Sequence, residues 1–389
     1  IMSSTGIDAG YVVLPPLAAA LYRAVGRSPM AGIAAVFAGV AAGFNANLFV
    51  TGLDPLLAGF ATQGAQVIDP NYQVAATCNL FFMIGSTFVI TAAGWWTTSF
   101  FVEKRLSVLP PEDGGPRPVN AADLEAQRVL PEEKSALVWA LGALALIFVA
   151  VGFSVGIDGG PLHGKSGPAN FDKWVTAIVP LLVISFTVPS IVYGVRIKTI
   201  RTDKDATRML VESIAAMAPI IVLSFFAAQF IECFKYSGLD RMVALSGGQA
   251  LGKAEMSKEI LIVAFIGVTI MFNLFVGSMS AKYAMFAPIF IPMFMLVGIS
   301  PELTQAAYRI GDSVSNTITP LNAYLVIVLV FMRHVAPRAG MGTLISTMLP
   351  YTIVFSIVWS ILLLVWMALG IPLGIEGPLS YELPTVEPR

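Results

Sequence analysis

Gly277-Ser278-Met279-Ser280-Ala281-Lys282 and Arg309-Ile310-Gly311-Asp312-Ser313-Val314-Ser315-Asn316-Thr317-Ile318-Thr319-Pro320 break into otherwise apolar sequence. The first stands between the apolar runs 259–276 and 283–298. The second joins a short, polar-tolerant helix at 301–311 to the apolar run 321–332. Hydrocarbon offers no hydrogen bonds. A helix interrupted by Gly, Ser and Pro therefore persists there only where its freed backbone groups line a protein-enclosed or watery cavity. Broken helices of this kind build the substrate and ion sites of secondary transporters near the bilayer midplane. The segment 277–322 reads as half of such a site.

The composition agrees. Mean hydropathy is +0.79, with 12% charged and 56% hydrophobic residues, where an ordinary soluble domain has about a quarter charged. Several apolar runs reach the ~20 residues that span a bilayer. The expected class is an all-α polytopic membrane protein. Its net charge of −1 and the lack of a basic arm give no support to a nucleic-acid partner. Cys78 and Cys233 both fall in apolar runs, which suggests free buried thiols and no disulfide framework. No Cys/His cluster surrounds His163 or His334, so neither a metal nor another cofactor is expected.

Taken in order, residues 1–8 are polar. An apolar segment follows at 10–22. Run 29–60 is interrupted at 43–47 and again at 51–55, and run 73–101 is continuous. A Pro-, Glu- and Arg-rich linker covers 102–134, with a short surface helix expected at 120–128. Further runs lie at 135–157, 174–195 and 209–234. The broken segment, a last helix at 341–372 and an acidic tail at 373–389 complete the chain. Placing loop 22–28 in the cytoplasm, with 259–298 a re-entrant hairpin, puts fourteen of the 23 Lys and Arg inside and seven outside. That bias satisfies the positive-inside rule, makes 102–134 a cytoplasmic linker, and predicts a periplasmic C-terminus.

The two cations left over, Lys282 and Arg309, fall at membrane depth in the two breaks, which marks them as functional candidates. The competing readings are snorkelling of Lys282 to an interface and a structural pair between Arg309 and Asp312 one turn away.

Sliding the chain by 272 positions aligns Ala9, Tyr11, Pro16, Gly26, Ser28, Pro29, Ala34, Ala35 and Gly39 with identical residues between Ala281 and Gly311. Most of these set backbone geometry at helix ends. The break at 43–47 falls opposite Ser315–Thr319. The charge count gives the two units opposite orientations, an inverted repeat. Residues 1–101 then form a first repeat, 135–157 a connecting helix, and 158–372 a second repeat. By that symmetry, residues 1–8 match a hairpin tip, and about a hundred residues are expected to precede them.

Asp8-Ala-Gly-Tyr-Val-Val-Leu-Pro-Pro-Leu17, Gly277–Lys282 with Ala287-Pro-Ile-Phe-Ile-Pro292, and Ala307–Ser313 through Asn316–Pro320 resemble the p-aminobenzoyl-glutamate transporter (AbgT) family. The resemblance spans nearly the whole chain. It implies nine transmembrane helices and two re-entrant hairpins per subunit, in a homodimer of the bacterial inner membrane. It also implies movement of p-aminobenzoyl-glutamate, a folate breakdown product, and export of sulfonamide antimetabolites, with antibiotic resistance as a consequence. Positions matching the family's functional residues are Asn273, Ser280, Pro301, Arg309 and Asp54. Tyr283 stands where family members often carry Trp.

A site for a flat aromatic dicarboxylate wants positive potential and an aromatic wall. Half-helix N-termini after Ser278-Met-Ser280 and at Asn316-Thr317 supply the former, with Lys282 beside them. Arg309 adds a bidentate contact, and Tyr283 a stacking face. Coupling needs a group that responds to a cation. Asp54 and Asp312 qualify, either as proton carriers or as Na⁺ ligands with Ser313, Asn316 and unwound carbonyls. Asn45 and Asn47 join that set, with helix-helix glue as their alternative role. The favoured reading is a proton-driven antiporter. A carboxylate transporter of the same architecture, coupled to Na⁺ or H⁺, is the runner-up. A channel comes next, followed by a membrane enzyme, for which no nucleophile-base or metal constellation lies at membrane depth.

Overall fold

In this computed structural model the described residues are 9–116, 131–157, 159–163, 173, 177–216, 222, 225–226, 229, 232–234, 236–253, 256–319, 322 and 324–383. The short helix expected at 120–128, residues 1–8 and Pro320 lie outside them. The chain divides into two compact units, residues 1–124 with 230–389, and residues 125–229.

The first unit holds helices α1 (Ala9–Ala24), α2 (Pro29–Ala42), α3 (Leu53–Ala65) and α4 (Leu80–Leu106). The second unit holds α5 (Pro131–Gly156), α6 (Ile178–Arg196) and α7 (Asp203–Ala216). The chain then returns to the first unit with α8 (Leu239–Lys253), α9 (Lys258–Asn273), α10 (Met279–Met295), α11 (Pro301–Ser315), α12 (Tyr324–Val335) and α13 (Met341–Ala368). Among the described residues, α4, α5 and α13 are each long and apolar enough to cross a membrane.

Three local readings are revised. Residues 43–52 form one non-helical segment, so the two interruptions expected in run 29–60 are a single break. Its end is fixed by Asp54, whose carboxylate, in the first turn of α3, reaches back to accept from Thr51 N at 2.5 Å and Thr51 Oγ1 at 2.8 Å. Residues 73–75 are irregular and 76–79 turn rather than helix, and α4 runs on to Leu106 through a π-turn at Thr98–Val102. Cys233 is exposed, against the burial expected of it; Cys78 is buried.

The repeat is visible in the helix starts. Gly26 and Gly298, one repeat apart, both take positive φ (71° and 80°), a conformation a Cβ disfavours. Ser28 and Ser300 then cap α2 and α11, accepting from Ala31 N and Leu303 N, with Pro29 and Pro301 in the first turn. Each capping hydroxyl also donates to a carbonyl that follows its repeat's long helix: Ser28 to Gly114 O at 2.5 Å, Ser300 to Pro378 O at 2.6 Å. α1 packs on α12 and α10 on α3. A two-fold exchange of arm, broken helix and long helix requires that pair of packings. α2 ends in a π-turn at Ala38–Ala42, beside the break.

α11 is the centre of the unit, and every residue from Pro301 to Ser315 is buried. It packs against α9, where a Cβ on Gly311 would come within 2.6 Å of Thr269 Cβ. Only glycine allows that approach.

In the second unit α5 and α6 pack together, with Arg196 over the Trp139 ring at 4.4 Å. α7 begins with a capping box: Thr202 N donates to Asp205 at 2.8 Å and Asp205 N to Thr202 Oγ1 at 3.3 Å. The backbone N–H groups of Arg201 and Thr202 hold the Asp205 carboxyl below its usual range.

Candidate functional site

Two buried ion pairs organise the site, and both use α11. Arg309 pairs with Asp54, which opens α3 after the first break. Lys282, in the first turn of α10, lies 2.7 Å from Asp312. All four side chains are almost wholly inaccessible. A buried charge without a partner is costly, so each pair depends on its opposite member.

These pairings replace two sequence readings. Lys282 does not snorkel: its ammonium stays inside, against Asp312, Asn273 Oδ1 and the face of Tyr308. Arg309 does not pair with Asp312 along its own helix. The breaks in the two repeats carry Asp54 to Arg309 and Lys282 to Asp312, and these long-range partners displace the local one.

Around Arg309–Asp54, Nη1 of the guanidinium donates to Met83 Sδ at 3.0 Å on α4. Arg309 Nε has no hydrogen-bond partner among the described residues. Asn45, in the first break, donates to Arg309 O at 3.1 Å and Ser313 Oγ at 2.6 Å. The first break is thus fastened to the helix that carries the second.

Around Lys282–Asp312, the Asn273 amide approaches Asp312 O at 2.9 Å, Ser315 Oγ at 2.8 Å and Asn316 Oδ1 at 2.9 Å. Its two N–H bonds are shared among three acceptors. Tyr308 OH donates to Met279 O at 2.6 Å, which ties the hairpin tip to this centre. Ser278 caps α10, accepting from Ala281 N, and lies 3.5 Å from Ser280 Oγ. Asn316 donates to Ala41 O, in the last turn of α2 before the first break, at 3.4 Å.

Among the described residues, the remaining expected ones make no hydrogen bond to the four charged side chains. Pro301 opens α11 at its far end. Asn47 turns back on its own break, donating to Phe44 O at 3.0 Å. Thr317 contacts Thr352 of α13 at 2.9 Å. Tyr283 is fully buried and packs on Tyr308 at 4.4 Å, so the stacking face expected of it is already occupied.

Sequence reading missed Glu302 and Gln305. With Arg309, Asp312 and Asn316 they fall at i, i+3, i+7, i+10 and i+14, one stripe along α11. Both are buried. The spacing was the available signal. A cavity of ≈ 590 Å³ opens between α1, α2 and α4, with Tyr22, Trp95 and Phe355 in its wall and Gly43 and Ala46 of the first break at its edge.

Comparison with known proteins places this geometry. The p-aminobenzoyl-glutamate transport protein of Escherichia coli (strain K12) is 34% identical over 375 residues, covering 94% of this chain and 71% of that protein. The crystal structure of the Alcanivorax borkumensis YdaH transporter superposes with a TM-score of 0.86 at 39% identity, over 96% of this chain and 77% of that one. Neisseria gonorrhoeae MtrF, described with a class of antimetabolite efflux pumps, gives 0.86 at 37% identity, over 97% and 73%. The AbgT family model matches residues 1–381, and the chain belongs to the AbgT family of membrane transporters.

Proposed function

We propose that the chain is a proton-coupled secondary transporter of p-aminobenzoyl-glutamate-like aromatic carboxylates in the bacterial inner membrane, with its C-terminus in the periplasm and a homodimer as its working form. The observation that carries this reading is the buried Arg309–Asp54 pair between two helix breaks. A carboxylate substrate needs the Arg309 guanidinium, and Asp54 holds it. Protonation of Asp54 discharges that competitor and frees the fork for a bidentate substrate contact. Proton and anionic substrate then bind together, so the carboxylate moves in the same direction as the proton, and the antiport favoured from the sequence is left to the sulfonamide reading. The cavity beside the first break, with Tyr22 and Trp95 in its wall, suits the aromatic portion.

Sodium coupling at Asp312 meets an obstacle. The Lys282 ammonium stands 2.7 Å from that carboxylate and must leave before a metal cation takes its place. Export of sulfonamides is the second reading, favoured by the likeness to MtrF. Exchange against a proton requires the drug to compete for Asp54, which its arylamine would do by displacing Arg309.

The test is flux of labelled p-aminobenzoyl-glutamate into proteoliposomes carrying the full-length protein. Expected is saturable uptake, suppressed by unlabelled substrate and weakly by glutamate, which lacks the ring. Saturable sulfonamide flux with none of p-aminobenzoyl-glutamate would move the assignment to the second reading.

A further inference from the structure

At the opposite end of α11 from Asp312, Glu302 is 1% exposed. Among the described residues no cation lies at ion-pairing distance from it. Its partners are neutral: the Tyr72 hydroxyl donates at 3.0 and 3.1 Å from the half-buried connection between α3 and α4, and the Ser300 hydroxyl and the backbone N–H of Glu302 itself also meet the carboxylate. A buried carboxylate held by a neutral donor can take up a proton without breaking an ion pair. That separates Glu302 from Asp54 and Asp312.

A line of hydrogen-bonding groups leads inward from it. Gln305 lies one turn further on, and its Oε1 accepts from Cys78 Sγ at 3.4 Å. Arg309 follows one turn later, about 10 Å from Glu302 along the axis. Cys78 lies within electrostatic reach of Glu302, Arg309 and Asp54 together, and Tyr283 within reach of Glu302, Cys78 and Arg309. Gln305 Nε2 and Tyr283 OH are buried with no hydrogen-bond partner among the described residues. Buried polar atoms left in this way are ordinarily met by ordered water. The titratable and charged groups facing Glu302 are Tyr72 and Cys78 from the α3–α4 connection, Tyr283 from α10, and Glu376 from the segment after α13, with Arg309 on its own helix. The Tyr381 ring backs Tyr72 at 5.5 Å.

We propose that Glu302 is a second proton-carrying carboxylate, which loads from the Tyr72 side and passes its proton through water held at Gln305 and Tyr283 to Asp54. The inference rests on the proton-coupled reading above. A proton from bulk water adds to a Glu302 oxygen when Tyr72 swings aside. The acid gives it to the bridging water, which releases another to the Asp54 carboxylate. Glu302 is left anionic again, Asp54 neutral, and no bond other than O–H changes.

The test measures proton and substrate fluxes together in proteoliposomes, with a trapped pH dye and labelled p-aminobenzoyl-glutamate. Glu302→Gln keeps the volume and an acceptor for Tyr72. It is expected to lower the proton-to-substrate ratio at least tenfold, and Glu302→Asp to restore part of it. A variant in which both fluxes fall together and the ratio holds would overturn the proposal, because that is the mark of a structural role. Tyr72→Phe supplies a second reading if the first variant carries no flux. The pH of half-maximal coupled uptake is expected to shift by about half a unit or more, and an unmoved profile rejects Glu302 as a carrier. Substrate flux without proton flux in the unmodified protein sinks the proton-coupled reading itself, whereas coupling that survives Glu302→Gln sinks this inference alone.

Discussion

Arg309→Lys raises the KM for a carboxylate substrate about a hundredfold, the equivalent of about 3 kcal/mol for removing one charge-assisted hydrogen bond, while the protein stays folded. Lysine keeps a positive charge beside Asp54 but presents a point charge in place of the planar fork. Arg309→Met behaves differently. The guanidinium is the counter-charge of a carboxylate with no exposed surface. Removing it therefore costs about 3–5 kcal/mol of stability as well as transport. Burial of its partner is what makes the loss of Arg309 a loss of stability as well as of transport. The check is uptake kinetics for both variants beside thermal unfolding in detergent. A methionine variant as stable as the parent would contradict the pairing.

Lys282→Met unfolds far more easily than the parent, by about 3–5 kcal/mol, because Asp312 is left charged and dry. Adding Asp312→Asn to the same chain recovers most of that loss, since a neutral pair no longer needs compensation. Unfolding midpoints of the two single variants and the double variant form a cycle whose coupling is expected to be strongly non-additive. Additive losses would mean that Lys282 and Asp312 contribute independently. Asn273 Oδ1 also meets the ammonium, so Asn273→Ala should show a smaller loss in the same direction.

Much of the architecture was legible because it is written in backbone-setting residues. Gly26 and Gly298, with the Ser-Pro pairs that follow them, announce the repeat at a fixed offset, and the structure gives both the same cap and the same φ sign. The Ser278 tip and the Asn316 break are legible for the same reason: they are places where a helix cannot continue. Partners were less legible. Arg309 and Asp312 are three residues apart, and helix periodicity offers them to each other. Asp54 is 255 positions from Arg309. Only the packing of one repeat on the other decides for it. Glu302 escaped notice because a single glutamate after Ser-Pro reads as a helix-start residue favoured by the dipole. Its burial against Tyr72 is a tertiary fact. Tyr283 lies on α10, where Tyr308, an ordinary helix residue in sequence, fills the space its ring was expected to offer.

The coupling claim is tested most directly by the sign of the gradient that drives accumulation. Secondary transport is reversible, so the thermodynamic sign does not depend on how the protein inserts into vesicles. Proteoliposomes would be given labelled p-aminobenzoyl-glutamate outside, under an acid-outside gradient, an acid-inside gradient and a Na⁺ gradient at uniform pH. The protein and its Asp54→Asn variant would be run side by side. The account predicts accumulation under the acid-outside gradient only, and its loss in the variant. Accumulation driven by the acid-inside or the Na⁺ gradient, or accumulation that survives Asp54→Asn, would contradict it.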